Sequence, residues 1–203
     1  MRRCALVLFM VFMFGAVLVS AAQTAPVVIS FGGLQDLQAI GDYYNGGAGP
    51  NYGVSFSSNV YALKSVFQGG SGGFSPDPTQ TPAMFIIGTT GIDATGVMNV
   101  GPGFSSQLSF FYTAAFNETV TVWSGANGTG TALATISLSA NNGSCVAFPS
   151  YCNWSGVSVG FTGTGNSVTF SGPANGMGIS HITLGSSTAL RRRPTPSPRR
   201  FLR

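Results

Sequence analysis

The sequence predicts an all-β fold: a two-sheet antiparallel sandwich of jelly-roll type, with a closed barrel as the alternative architecture. Three observations lead there. Short runs rich in β-branched and aromatic residues alternate between polar and apolar side chains, the period-two signature of half-buried strands. Asn-Gly pairs stand between the runs at Asn45-Gly46, Asn127-Gly128, Asn142-Gly143 and Asn175-Gly176. They supply the positive φ that tight hairpin turns require. A helical period is absent except over residues 34–44, where a three-four spacing of apolar residues can be traced.

About eleven strands follow in order. Residues 26–31 (PVVISF) open the series, then 53–57 and 61–67. A glycine-rich stretch, Gly69-Gly70-Ser71-Gly72-Gly73 with Ser75-Pro76-Asp77-Pro78, reads as a long surface loop. Strands resume at 84–88, 96–100, 107–114, 119–123 and 132–138. The alternation is clean in Thr119-Val120-Thr121-Val122-Trp123, where hydroxyls share one face and valines the other. Residues 157–162, 167–171 and 178–184 complete the set. Eleven short strands at this spacing suit two packed sheets.

The chain divides into three parts. Residues 1–22 have the order of a secretory signal peptide: Arg2-Arg3, a 15-residue apolar core from Ala5 to Val19, then Ser20-Ala21-Ala22. That core is short of the roughly 20 residues that span a bilayer. Cleavage after Ala22 is expected, with an uncleaved anchor as the alternative. Residues 23–190 form the sandwich domain, and residues 191–203 (RRRPTPSPRRFLR) an Arg/Pro-rich tail expected to be disordered. No stable membrane anchor is expected in the mature chain, which is read as secreted, with the cell envelope as a further location. Oligomeric state is not legible.

The formal charge of +4 misleads. Within residues 23–190 the only cation is Lys64, against Asp36, Asp42, Asp77, Asp93 and Glu118, so the body carries −4. A nucleic-acid partner is therefore not expected. Cys145 and Cys152 are the only cysteines after the signal. Export to an oxidising compartment argues for a disulfide between them, with two free thiols as the alternative. With a single histidine, the pair is poor zinc-ligand material, and no metal or cofactor is expected.

Catalytic motifs fail on inspection. Gly156-Val157-Ser158-Val159-Gly160 matches the nucleophile-elbow pattern, but it lies inside an alternating strand, and no acid separates Ser158 from His181. His181 reads as an ordinary strand residue. The five carboxylates read by default as solvated loop acids, although a glycosidase pair is possible in principle. The chain is thus expected not to be an enzyme. Four glycosylation sequons begin at Asn117, Asn127, Asn142 and Asn153, at the frequency that an Asn-, Ser- and Thr-rich chain produces by chance. The aromatic residues Tyr43, Tyr44, Tyr52, Tyr151 and Trp154 are the candidate ligand-binding set, because aromatic faces beside amides and hydroxyls suit uncharged polysaccharide. Trp123 is expected to pack in the core.

A resemblance adds to this reading. Ile29-Ser30-Phe31-Gly32-Gly33-Leu34-Gln35-Asp36, Tyr43-Tyr44-Asn45-Gly46-Gly47, Pro50-Asn51-Tyr52-Gly53-Val54-Ser55-Phe56-Ser57, Val122-Trp123-Ser124-Gly125 and Ile182-Thr183-Leu184-Gly185-Ser186-Ser187 occur in an order that resembles secreted bacterial proteins of the PEP-CTERM sorting class. The resemblance implies a secreted β-sandwich similar to carbohydrate-binding modules, associated with extracellular matrix, and no known enzymatic activity. Two departures matter. Gly32, Ser180 and His181 stand where the class often has acids that can hold a structural calcium. Pro194-Thr195-Pro196 stands where Pro-Glu-Pro is expected, and no apolar helix follows, so the sorting signal is absent as written; a frameshift or a divergent end near Ala189 would explain the change. The functional expectation is weak binding of extracellular polysaccharide. The alternatives are a structural or adhesive surface protein with protein partners and, last, a glycoside hydrolase.

Overall fold

A computed structural model describes residues 25–146 and 148–185. The signal peptide expected over residues 1–22 and the tail expected over residues 191–203 lie outside the described residues. The described residues form ten strands: β1 (Val27–Ile29), β2 (Gln38–Ala39), β3 (Val54–Phe56), β4 (Val60–Leu63), β5 (Ala83–Ile86), β6 (Asp93–Ala114), β7 (Glu118–Trp123), β8 (Ala132–Leu138), β9 (Ser155–Pro173) and β10 (Met177–Leu184). The fold is an all-β antiparallel sandwich.

Two strands are far longer than the sequence suggested. Residues 96–100 and 107–114 belong to the 22-residue β6, and residues 157–162 and 167–171 to the 19-residue β9. Gly101-Pro102-Gly103 and Gly163-Thr164-Gly165 look like breaks in sequence. In the fold the β6–β9 ladder runs on around them, with register shifts between Asn99 and Phe104 and again between Phe104 and Ser106. Bulges of this kind bend a ladder without ending it.

That bend builds the sandwich. Below it, Asp93 to Asn99 pair with Pro173 to Ser167; beyond it, Ser106 to Tyr112 pair with Phe161 to Ser155. Both strands fold at their middles, like a page creased once. The first leaf runs β3, early β6, late β9, β7, β8, and the second runs β2, β4, β5, β10, late β6, early β9, with β1 beside β10. Met98, Val100, Val122, Val168 and Phe170 of the first leaf meet Leu108, Phe110, Ile179 and Ile182 of the second in one core. Each such buried aliphatic or aromatic side chain contributes about 1.5–3 kcal/mol.

Several local expectations change. No helix forms over residues 34–44; the short β2 and turns occupy it, with Leu37 at a φ of 55°. The strand expected at 61–67 ends at Leu63, because Ser65 caps a 3-10 turn over Val66–Gln68 by accepting from the Phe67 N–H. Asn127 and Gly128, with φ of 56° and 70°, do turn the chain between the paired strands β7 and β8. Asn175-Gly176 is different: β9 and β10 are not paired, and these residues form a corner that carries the chain from the first leaf to the second. The glycine-rich loop is less exposed than expected. It lies over the second leaf, where Phe74, Ala83 and Phe85 form a small second core.

Candidate functional site

The five candidate aromatic residues fall into two groups at opposite ends of the sandwich. Tyr43, Tyr44 and Tyr52 lie toward the crease, and Tyr151 and Trp154 toward the open end.

At the crease, the bends of β6 and β9 leave a cleft of about 690 Å³ between the leaves. Val54, Val100, Phe104 and Leu184 form a buried apolar floor. Ser105, Ser106 and Thr164 place hydroxyls on an exposed rim, and Tyr52 closes one side. None of the described lining residues is charged. The cleft depends on a close approach: Gly53 has a φ of 67°, and a Cβ there would meet the Pro102 ring at 2.7 Å.

Tyr52 is 37% exposed and is braced from beneath. Its ring lies nearly parallel to that of Tyr44, 8° apart with centroids at 6.1 Å. Tyr44 in turn meets Tyr43 and Phe31 edge-on. Tyr44 is 3% exposed, and burial holds its hydroxyl well above the usual tyrosine pKa. Tyr43 is half-buried against Gly49. Of these three rings, Tyr52 is the one that offers a face to solvent, on a foundation that reaches the core.

At the open end the rings are engaged. Trp154 packs edge-on against Phe74 and donates its indole N–H to the Ser75 carbonyl at 2.8 Å. Tyr151 packs edge-on against Phe85 and donates its hydroxyl to the Asn175 carbonyl at 2.6 Å. Burial, and then the charge of Glu118, raise the Tyr151 pKa. These side chains tie residues 145–152 to the second leaf. The Cys145–Cys152 disulfide closes that loop, with Cα atoms 5.5 Å apart. Trp123, expected in the core, sits half-buried on the hydroxyl face of β7 and donates to the Thr169 hydroxyl at 2.9 Å. The Thr-Val alternation already placed it on that face.

The carboxylates also correct an expectation, since two are not solvated. Asp77 is fully buried and accepts from the Thr79 and Thr81 backbone N–H groups. Glu118 is 3% exposed, with Oε1 buried and without a hydrogen-bond partner. Burial, and then the nearby Asp93 carboxylate, raise its pKa to about 7. Its strand parity matches Val120 and Val122, an inward position that the alternation signals. Although Glu118 and Asp93 influence each other, Glu118 faces inward and Asp93 is exposed at the start of β6, so the two do not flank a shared opening. Ser158 lies exposed in mid-strand on β9, and His181 sits at a bulge of β10 with φ of 51°.

Sequence reasoning missed the cleft, because its floor and rim come from five separated segments. It also missed an exposed apolar group. Phe67 and Phe148 are each 59% exposed with ring centroids 6.2 Å apart, and Val146 beside them is 84% exposed.

No protein-family model matches the chain, and no curated protein does. Among solved structures it is similar to the K2 cleaved adhesin domain of Lys-gingipain, with 12% identity, 79% of this chain and 97% of that chain covered, and a TM-score of 0.48. It is similar to a family 29 carbohydrate-binding module, at 14% identity, 79% and 91% coverage and a TM-score of 0.44. It is also similar to CsCBM6-3 from Clostridium stercorarium in complex with cellobiose, at 12% identity, 79% and 94% coverage and a TM-score of 0.42. These likenesses assign no role to any residue of this chain.

Proposed function

We propose that this chain is a secreted, non-catalytic β-sandwich that binds uncharged extracellular polysaccharide at the crease cleft, as a matrix protein of the PEP-CTERM sorting class. The observation that carries the reading is the makeup of the cleft. An apolar floor, a hydroxyl rim and one braced aromatic face, with no charge among the described lining residues, match the chemistry of a neutral sugar. A sugar ring presents C–H groups on its faces and hydroxyls at its edge, so it needs an apolar surface and polar atoms together. The bracing of Tyr52 by Tyr44 reduces the ordering cost of binding. The disulfide accords with export to an oxidising compartment.

The test is affinity electrophoresis and calorimetry against a panel of neutral and anionic polysaccharides. Binding to at least one neutral polymer is expected, and Tyr52→Ala should weaken it by about 10- to 100-fold, or about 1.4–2.7 kcal/mol. A wild-type protein that binds no neutral polymer, or a Tyr52→Ala variant that binds as well as wild type, overturns the proposal. The second reading, a surface protein with protein partners, is favoured by the exposed Phe67, Phe148 and Val146 group.

A further inference from the structure

We propose that Glu118 is a pH-operated latch at the open end of the sandwich: neutral, it seats behind the corner at residues 173–176 and holds the disulfide loop; ionised, it leaves and loosens both.

The seat is made by missing side chains. A Cβ on Gly172 would fall 1.5 Å from Glu118 Oε2, and one on Gly176 would fall 2.7 Å from Oε1. The carboxyl therefore fills space that two glycines at the end of β9 and in the corner leave open. Its Oε1 finds no hydrogen bond there. A neutral carboxyl tolerates such a site; a carboxylate does not, because burial strips its hydration and gives no donor in return.

The corner is a hub. Ala174 N–H donates to the Ile92 carbonyl, and Asn175 N–H to the Ile86 carbonyl. The Asn175 side chain donates to the Gly88 carbonyl at 2.9 Å, and its own carbonyl accepts from the Tyr151 hydroxyl. Gly176 accepts from the Ala115 N–H at 2.9 Å. Four segments thus converge on residues 174–176, of which Gly176 lies against the Glu118 carboxyl, and one of the segments is the disulfide loop with the exposed Val146 and Phe148.

The surroundings oppose the charged form from each side. Asp93, on the neighbouring start of β6, adds a second negative charge. Tyr151, from the disulfide loop, is the other titratable group that faces Glu118. Gly172, Gly176 and Phe116 contribute no charge. Lys64, the only cation among the described residues, is bonded to Gln35 instead. Desolvation and Asp93 together place the switch at about pH 7.

The experiment uses the mature chain with Trp123→Phe, so that Trp154 reports alone. Fluorescence and amide exchange, corrected for intrinsic rates, are followed from about pH 5 to about pH 9. The expected result is a Trp154 transition with a midpoint near 7. Exchange across residues 145–152 and 173–176 should rise about tenfold with it, while the crease residues stay unchanged. Glu118→Gln should abolish the transition and hold the low-pH form, Gly172→Ala should give the loosened form throughout, and Asp93→Asn should move the midpoint down. Glu118→Gln retains every other ionisable group. A transition that persists in Glu118→Gln, or a wild-type open end that does not change over this range, overturns the proposal.

Discussion

The crease end and the open end are built from the same strands, yet they treat their polar atoms in opposite ways. At the open end Tyr151 and Trp154 spend their polar tips on the Asn175 and Ser75 carbonyls. At the crease the exposed Ser105, Ser106 and Thr164 rim the cleft, and Tyr52 lines one side of it. An aromatic side chain whose donor is already satisfied inside the protein acts as an anchor. One that is braced by a neighbouring ring and still exposed is a surface for a ligand. Charge divides the ends as well: the described cleft lining has none, whereas the open end buries a carboxyl.

Removing the open-end anchor should have the largest effect. Trp154→Ala deletes an indole packed on Phe74, and a change of this kind costs about 3–5 kcal/mol. Urea denaturation should show that loss while sugar affinity at the crease is unchanged; a parallel fall in affinity would break the separation of the two ends.

Next in size is the pH dependence of stability from Glu118. Its folded pKa of about 7 lies above the ordinary carboxylate value of 4.5 that it has in the unfolded chain, so the folded state binds the proton more tightly. Its contribution is complete below pH 4.5, falls as pH rises and is gone above about pH 7. That loss is up to about 3 kcal/mol in wild type and should vanish in Glu118→Gln, as urea midpoints across the pH series will show.

Opening the disulfide should cost somewhat less. The double substitution of Cys145 and Cys152 by serine frees a short loop, at about 2–3 kcal/mol in thermal or urea denaturation. It should accelerate exchange at residues 145–152 and leave the cleft intact. The smallest effect should come from Tyr52→Phe. It keeps the ring and removes one hydroxyl, so sugar affinity should fall by about fivefold, near 1 kcal/mol, with no change in stability. A loss as large as that of Tyr52→Ala would show that the hydroxyl and not the ring face carries the binding.

The strand pattern was legible because alternation is a local property. β7 and β8 run within a residue of the expected spans, since β7 buries one face along its length and β8 buries Ile136 and Leu138 between exposed neighbours. The same alternation signals Glu118 inward and Trp123 outward, yet both were misplaced because the general habits of acids and indoles were followed instead. The other failures were non-local. Gly101-Pro102-Gly103 has the composition of a turn between strands. Only the partner β9, bending beside it, allows one ladder to continue around the corner. Asn175-Gly176 has the composition of a hairpin and makes a crossing between leaves, because β10 pairs with late β6 and not with β9. The site was legible in kind and not in place. An aromatic, amide- and hydroxyl-rich chain pointed to uncharged ligands. Which ring is available depended on what each one touches.

The sequence by itself determined the fold class, the low charge of the body and the faces of the strands, because side-chain alternation and composition act residue by residue. The tertiary structure decided the crease, the cleft and the seat of Glu118. Each depends on backbones from distant segments approaching closely, Gly53 on Pro102 and Gly172 on Glu118, and such distances are set by packing and not by any local pattern.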